Sequence, residues 1–303
     1  MEKRGEHLNI YQVRLDKLPT LAEVHLKLSE TEVRHGNLSG SVSTLTEGLA
    51  IQKSQMLLQR HVTSLGSTCS VAQKNELLDR RRKLEARITT YENRISIIMK
   101  LDDDTQWSLS DIDPRVAESS DDLPEVDSDE WLIPEKERIT LPSALAAGEI
   151  EWLSLESIAM VEAELRKGQV ADTLEGLCLS LGEKSLCFRT QVHNANSQRT
   201  THRAWDNVHK LDAEARKCQA MYRQARGALQ RLSIDPEYVA TLHDITDDDL
   251  KVAGDLTDEC RFGQRSDALP WFWQFGDAVD SGGLRMQECT YSYWPCAVRL
   301  ILL

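Results

Sequence analysis

The sequence is most constrained by an apolar seam that runs from Ala204 to Leu232 without interruption. Its members alternate at spacings of four and three residues, a period that is typical of a helix and not of a strand. They are Ala204, Val208, Leu211, Ala215, Cys218, Tyr222, Ala225, Leu229 and Leu232. We therefore predict one helix of about four heptads over 200–232, which ends before Asp235-Pro236 and buries its seam against other helices.

A second heptad pattern predicts a helical hairpin near the amino terminus. Apolar residues at helical spacings occupy 45–65, and a Gly-Ser-Thr break follows at 66–68. Ser70 and Gln73 then have the spacing of a capping box, so we expect the second helix to begin there. Its seam, which Arg81 interrupts, consists of Leu77, Leu84, Ile88, Tyr91, Ile95 and Ile98. The short connection predicts that the two helices fold back as an antiparallel coiled-coil hairpin.

The charged residues are divided between an acidic block and a basic block. The net charge is −13, but residues 102–130 contain twelve acidic residues and one basic residue, whereas 184–231 contain ten basic and three acidic residues. The acidic block is rich in Asp, Ser and Pro and has no apolar period, so burial cannot offset the entropy of ordering it. We therefore predict a disordered linker and interaction surfaces of opposite sign.

These patterns together predict an all-α fold in which a disordered acidic linker joins the hairpin to a second helical domain. In that second domain we expect two short helices separated at Gly168, then the long helix, then a helix that starts at Thr246. The predicted segments are a helical hairpin at 1–100, the acidic linker at 101–138, a helical domain with the long helix at 139–275, and an irregular or truncated end at 276–303.

Several classes of protein are excluded by what the sequence lacks. No window has the run of about 18 apolar residues that a membrane span needs, and the first residues lack the apolar core of a signal peptide. We therefore expect an intracellular protein, nuclear or cytoplasmic, without a membrane partner. The seven cysteines contain no CxxC pair, which indicates reduced thiols rather than a disulfide framework or a zinc site.

No pattern of a catalytic or nucleotide-binding site occurs either. The strings GxGxxG, GxxxxGK[ST], GxSxG and HExxH are all absent. His202 and His209 share the predicted long helix, but their spacing separates them by about 10 Å along its axis, too far for one metal ion. The sequence therefore predicts no catalytic residue, no cofactor, no metal site and no small-molecule substrate.

The predicted long helix carries a series of basic residues that we call the basic stripe. Its members are Arg199, Arg203, Lys210, Arg216, Lys217, Arg223 and Arg231. The stripe would be about 48 Å long, enough to follow a nucleic-acid backbone. Two interpretations stay open, a DNA-binding surface and an ordinary solvated helix face. The absence of interleaved aromatic residues argues against stacking on a single strand.

Residues 162–218 resemble a known family. The segment EAELRKGQVADTLEGLCLSLGEKSLCFRTQVHNANSQRTTHRAWDNVHKLDAEARKC is similar to the C-terminal region of fungal Kyakuja-Dileera-Zisupton (KDZ) transposases. The same region is resembled by LPSAL at 141–145, ITDDDLKVAGD at 245–255 and RFGQRSDALPWFW at 261–273. The resemblance spans about 139–275 and extends more weakly to the hairpin.

The resemblance implies a mobile-element protein whose full-length relatives cut and join DNA with an RNase H-like domain and carboxylate-bound metal. This sequence has neither the family's cysteine cluster nor its DGEG-type string, so no catalytic residue is carried over. We expect a non-catalytic remnant or tail that binds DNA, or that binds itself or protein partners through coiled coils. The alternatives are a coiled-coil scaffold protein without a nucleic-acid role and an intact metal-dependent enzyme.

Overall fold

The computed structural model describes residues 18–35, 40–66, 69–99, 133–251 and 270–275. Within these ranges the chain forms seven α-helices and no β-strand, which confirms the predicted all-α fold. The helices are α1 (Leu21–His35), α2 (Ser41–Leu65), α3 (Val71–Met99), α4 (Ala147–Trp152), α5 (Glu156–Cys187), α6 (Gln198–Leu232) and α7 (Pro236–Thr241). The acidic block and the end of the chain after residue 275 lie outside the described residues, so what is predicted for them stays a prediction.

The chain is divided into two compact units, and each is assembled from segments that are distant in the sequence. The hairpin unit comprises the described residues within Ala22–Lys167 and Arg226–Val239. The long-helix unit comprises the described residues within Gly168–Ala225 and Ala240–Leu303, together with those within Met1–Leu21. Both α5 and α6 therefore contribute one part to each unit. The domain limits predicted from the sequence stay predictions.

The predicted hairpin is present as α2 and α3. Its capping box forms, because Gln73 N donates to Ser70 Oγ at 3.3 Å and Ser70 N donates to Gln73 Oε1 at 2.9 Å. Away from the connection, Arg87 of α3 donates to Glu47 of α2 at 2.8 Å. This contact places the beginning of α2 beside the later part of α3, so the two helices run antiparallel.

The buried seam of α3 follows the predicted heptads except at its ends. The buried predicted positions are Leu84, Ile88, Tyr91 and Ile95. Leu77 and Ile98 are only half-buried, and Met99 takes the last core position. Tyr91 packs against Gly48 of α2, where a Cβ would lie 2.7 Å from the Tyr91 hydroxyl oxygen. The close approach of the two helices therefore leaves no room for a side chain at position 48.

Residues 133–145, the first six of which fall in the predicted acidic linker, pack along the hairpin. Glu135 is buried and accepts a hydrogen bond from Arg81 Nε of α3 at 3.0 Å. Gln55 of α2 donates to the carbonyl oxygens of Pro134 and Glu137, at 2.8 and 2.7 Å. Arg81 interrupts the apolar seam because it holds this segment in place.

Helix α5 corrects the prediction that Gly168 separates two short helices. It runs as one helix from Glu156 to Cys187, through the buried Gly168. A glycine inside a helix costs only about 1 kcal/mol relative to alanine, and Leu165 and Val170 on either side of it are fully buried. Burial of the apolar face therefore outweighs the local preference of glycine.

The predicted long helix is confirmed as α6. Every member of its apolar seam is buried except Leu211, which is half-buried. The helix begins where Ser197 Oγ accepts a hydrogen bond from Thr200 N at 3.2 Å. It ends where Ser233 adopts a left-handed φ of 51°, ahead of Pro236.

The helix predicted to start at Thr246 does not form in the residues that the structure describes. Residues 247–250 make a turn, in which Asp249 Oδ2 accepts hydrogen bonds from Thr246 N at 2.7 Å and Thr246 Oγ1 at 2.8 Å. Gln219 of α6 donates to the buried carbonyl oxygen of Ile245 at 2.9 Å. The acids therefore close a turn beside α6, and residues 252–269 lie outside the described ranges.

Candidate nucleic-acid interface

The amino-terminal part of α6 presents three basic residues on one exposed face. Ala204 and Val208 are buried, whereas Arg199, Arg203 and Lys210 are exposed. A helix turns by about 100° per residue, so these three basic residues fall within about 40° of one another around the axis. We call them the open cluster.

The open cluster has no internal partner in the described part of the chain. None of its three side chains makes a hydrogen bond or an ion pair with a residue in those ranges. Asp206 lies nearby on the same face, with its carboxylate 3.7 Å from His202 Nδ1. An exposed cation without a partner can bind a phosphate without first breaking a native contact. The open cluster is therefore the part of the basic stripe that is ready to bind an anion.

Two further members of the basic stripe are paired with acids of the same helix. Arg216 Nε donates to Asp212 Oδ2 at 2.8 Å, and Lys217 Nζ donates to Glu214 Oε1 at 2.7 Å. Partly exposed pairs of this kind contribute about 0 to 1 kcal/mol each. A phosphate that approached Arg216 or Lys217 would have to compete with these carboxylates.

The last two members of the basic stripe donate hydrogen bonds to backbone carbonyl oxygens of other segments. Arg223 Nη2 donates to the Ile245 carbonyl oxygen at 2.6 Å, and its Nε lies 3.4 Å from Asp244 Oδ1. In the hairpin unit, Arg231 Nε donates to the Ser143 carbonyl oxygen at 2.8 Å. These contacts give Arg223 and Arg231 a structural role, so only part of the predicted basic stripe is open.

Trp205 is an aromatic residue interleaved with the basic residues, so the sequence-based argument against stacking on a single strand was wrong. It lies between Arg203 and Lys210 in the sequence, and the residue is 42% exposed. The ring of Phe188 meets it edge-on at a centroid distance of 5.9 Å, and the ring of His209 lies 6.2 Å away. The signal in the sequence is a single tryptophan that lies off the apolar seam, among polar and basic positions.

Two shallow hollows adjoin Trp205, and the rings of Trp205 and His209 line both. The first has a volume of about 500 Å³, and its other lining residues are Gln198, Thr201, His202 and Asp206. The second has a volume of about 330 Å³, and its other lining residues are Lys184, Phe188, Val208, Asp212 and Lys251. The indole is therefore bordered by open space and by groups that can donate or accept hydrogen bonds.

Asp212 organises the charges of the second hollow. It accepts hydrogen bonds from Lys184 Nζ at 2.7 Å and from Arg216 Nε at 2.8 Å. Burial alone would raise the pKa of Asp212, but these hydrogen bonds and positive charges outweigh burial and lower the pKa below its ordinary value. Asp212 therefore stays ionised at neutral pH and compensates both cations.

The described residues contain neither a candidate metal cluster nor, at Cys178 and Cys187, a thiol with a lowered pKa. No three His, Cys, Asp or Glu side chains of that part of the chain come together in a group that could hold a metal ion. Burial raises the pKa of the Cys178 thiol to about 12 and also raises the pKa of Cys187. Because the thiolate is the reactive form, a raised pKa makes a thiol a poor nucleophile at neutral pH.

Helices of the described ranges lack the combination of length and apolar character needed to cross a bilayer.

Comparison with family models, with curated proteins and with solved structures finds no match to this chain. The link to KDZ transposases therefore rests on the sequence strings alone.

Proposed function

We propose that the chain is a non-catalytic tail or remnant of a KDZ-type transposase that binds DNA through the open cluster of α6. The transposase part of this proposal is supported by the sequence resemblance. The DNA-binding part is supported by one observation, the three exposed basic side chains that share a face and have no partner in the described residues. Such a role would place the protein in the nucleus.

The spacing of the open cluster suits a phosphate backbone. Arg199 and Lys210 are separated by about 16 Å along the helix axis, and Arg203 lies between them. One strand of duplex DNA presents a phosphate for about every 3.4 Å of axis, so this length faces about five phosphates. Long and flexible arginine and lysine side chains can select among these phosphates without a fixed register.

The exposed tip of the hairpin favours a second function, that of a coiled-coil scaffold. Val71 is 75% exposed and Leu78 is 48% exposed, both on the first part of α3, and Leu57 of α2 is also exposed. Apolar residues left in water on adjacent helices can be covered by another coiled coil. This alternative predicts oligomers that persist at high salt, because apolar contacts are not screened by ions.

DNA binding is tested by fluorescence anisotropy of a labelled duplex with the full chain. The test variant is Arg199→Glu/Arg203→Glu/Lys210→Glu, which reverses the open cluster. The matched control is Lys53→Glu/Lys74→Glu/Lys83→Glu, which reverses three exposed lysines of the hairpin unit and makes the same change in net charge. We expect the first variant to lose binding and the control to retain most of it.

Two outcomes would contradict the proposal. Equal losses in both triple variants would show that total charge, and not the open cluster, determines affinity. No binding by the intact chain at about 50 mM salt, where phosphate contacts are strong, would leave the open cluster as a solvated face. Light scattering at high salt would then test the scaffold alternative.

A further inference from the structure

The exposed indole of Trp205 is not explained by contacts to phosphates alone. Phosphate binding needs cations, whereas an indole offers a flat apolar face with a large area for contact. The residue is 42% exposed, and this exposure forgoes part of the stabilisation that burial of the indole would give. A flat partner that covers the ring would recover that contribution.

The indole is held in place before any ligand arrives. The edge of Phe188 meets it at an interplanar angle of 83°, and His209 lies one helical turn further along at a tilt of 37°. Val208 on the same helix is buried. A ring that is fixed in this way loses little conformational freedom when another ring stacks on it.

Unpaired nucleobases match both the ring and the hollows beside it. Every base has a π-face that stacks on an aromatic side chain, and duplex DNA hides these faces within its own base stack. Gln198, Thr201, His202 and Asp206 line the larger hollow and can donate to or accept from the edge of a base. An unpaired base can therefore stack on the indole and place its edge beside these polar groups, whereas the faces of a base pair within a duplex are covered.

The open cluster lies about 120 to 160° around α6 from Trp205. A strand that used both would cross the helix instead of following it, and would contact the two sites with nucleotides that are not adjacent. Asp206 lies on the exposed face between them. Its carboxylate would repel a phosphate that passes over it. The charge of Asp206 should therefore lower the affinity for a strand that takes this path.

We propose that Trp205 stacks on an unpaired base of single-stranded DNA while phosphates a few nucleotides away contact the open cluster. This inference rests on the proposed DNA-binding function, and it adds the form of DNA that the surface prefers. The strand crosses α6 beside Asp206, so removal of that charge strengthens binding.

The test uses the full chain, anisotropy, and three labelled ligands of equal length: an oligothymidylate, its abasic counterpart and a duplex. We expect Trp205→Ala to weaken binding of the oligothymidylate by roughly 5- to 150-fold, and to change binding of the abasic strand and the duplex less than twofold. Trp205→Phe should restore most of the affinity, and Asp206→Asn should increase it. Trp152→Ala, at a tryptophan of the hairpin unit that is 74% exposed, is the control and should change nothing.

Failure of this inference and failure of the proposed function give different results. If the triple reversal of the open cluster abolishes binding but Trp205→Ala changes no affinity, stacking is contradicted and the proposed function stands. If Trp205→Ala weakens the abasic strand as much as the oligothymidylate, the residue acts on phosphate binding, and stacking is again contradicted. Tighter binding of an oligouridylate RNA than of the DNA strand would overturn the assignment to DNA. If no strand and no duplex binds, both proposals fail.

Discussion

Glu162 and Arg166 of α5 form a buried ion pair in the hairpin unit. Both side chains are almost completely buried, and Arg166 Nε donates to Glu162 Oε1 at 3.1 Å. Ser143 completes the shell of the carboxylate, with N at 2.8 Å and Oγ at 2.6 Å, and Gln52 of α2 accepts from Arg166 at 2.7 Å. A pair of this kind ties three segments together, but removal of one partner leaves a charge unpaired in the interior.

Replacement of Arg166 alone should therefore be costly. We expect Arg166→Met to reduce the free energy of unfolding by about 3 to 5 kcal/mol, because the Glu162 carboxylate loses its buried cation. The double variant Glu162→Gln/Arg166→Met should lose less of the free energy of unfolding than Arg166→Met, since a neutral amide can still accept hydrogen bonds from Ser143.

Urea unfolding followed by circular dichroism measures both losses. Arg34→Met is the control, because Arg34 lies 3.9 Å from Glu30 in an exposed pair and such pairs contribute about 0 to 1 kcal/mol. A free energy of unfolding for Arg166→Met within 1 kcal/mol of the wild type, on the order of the control, would show that the buried pair is not a major source of stability.

Gly48 is the second residue on which the hairpin depends. Alanine at this position would place its Cβ 2.7 Å from the Tyr91 hydroxyl oxygen, and that hydroxyl donates to the Thr140 carbonyl oxygen at 2.6 Å. We expect Gly48→Ala to destabilise the chain by about 1 to 3 kcal/mol, because the phenol must shift from a well-packed position.

Gly182→Ala is the matched control for this substitution. Gly182 also lies inside a helix, but apart from its chain neighbours and the nearby helix backbone no atom of the described residues lies within 4 Å of the Cβ that alanine would add. Alanine there should stabilise the chain by about 0.5 to 1 kcal/mol through its higher helix propensity. Thermal unfolding of the two variants checks the signs, and stabilisation by Gly48→Ala would contradict the packing of Tyr91.

At the scale of elements, the basic residues at the beginning of α6 lack partners in the described residues, whereas those in its later part are paired. Arg199, Arg203 and Lys210 have no partner in the described residues, whereas Arg216 is paired with Asp212 and Arg223 holds the Ile245 carbonyl oxygen. Basic residues of the same helix therefore differ in their availability to a ligand. The difference is whether a carboxylate or a carbonyl oxygen lies within hydrogen-bonding distance.

This difference marks the limit of what the sequence predicts. The four-three period predicts α6, and the Ser70 and Gln73 spacing predicts the start of α3, because both depend on residues close together in the chain. The partners of Arg223 and Arg231 come from distant segments, so no local pattern reveals that these bases are occupied. The continuity of α5 through Gly168 was also unpredictable, since tertiary burial outweighs a local preference.

The contacts of Asp212 with Lys184 of α5 and Arg216 of α6 give a prediction about the pH dependence of stability. Asp212 has a lowered pKa in the folded chain, so it contributes stability above its unfolded pKa of about 3.9. That contribution is lost as the pH falls through the lower folded pKa. Asp212→Asn should therefore lower the melting temperature at pH 7, and the difference from wild type should shrink toward about pH 3.

Thermal unfolding at both pH values measures this difference directly. The control is Asp79→Asn, at an exposed carboxylate 3.6 Å from Arg82, which should change the melting temperature little at either pH. An Asp212→Asn difference that stays constant or grows in acid would mean that the contacts from Lys184 and Arg216 do not stabilise the fold.

At the scale of the whole molecule, DNA binding has to overcome the overall charge. The chain carries −13, and residues 102–130 alone hold twelve acidic residues against one basic residue. A strongly acidic chain is repelled by DNA at long range. Binding must therefore come from a few local contacts, and the affinity should be modest and steeply dependent on salt.

The salt dependence of duplex binding tests the central claim most directly. Each phosphate contact contributes about −0.9 to the slope of log affinity against log salt concentration. Arg199→Ala/Arg203→Ala/Lys210→Ala should therefore flatten the slope by about 2 to 3, whereas Lys53→Ala/Lys74→Ala/Lys83→Ala should leave it unchanged. Slopes that are the same for the intact chain and the open-cluster variant would contradict the assignment of the DNA contacts to the beginning of α6.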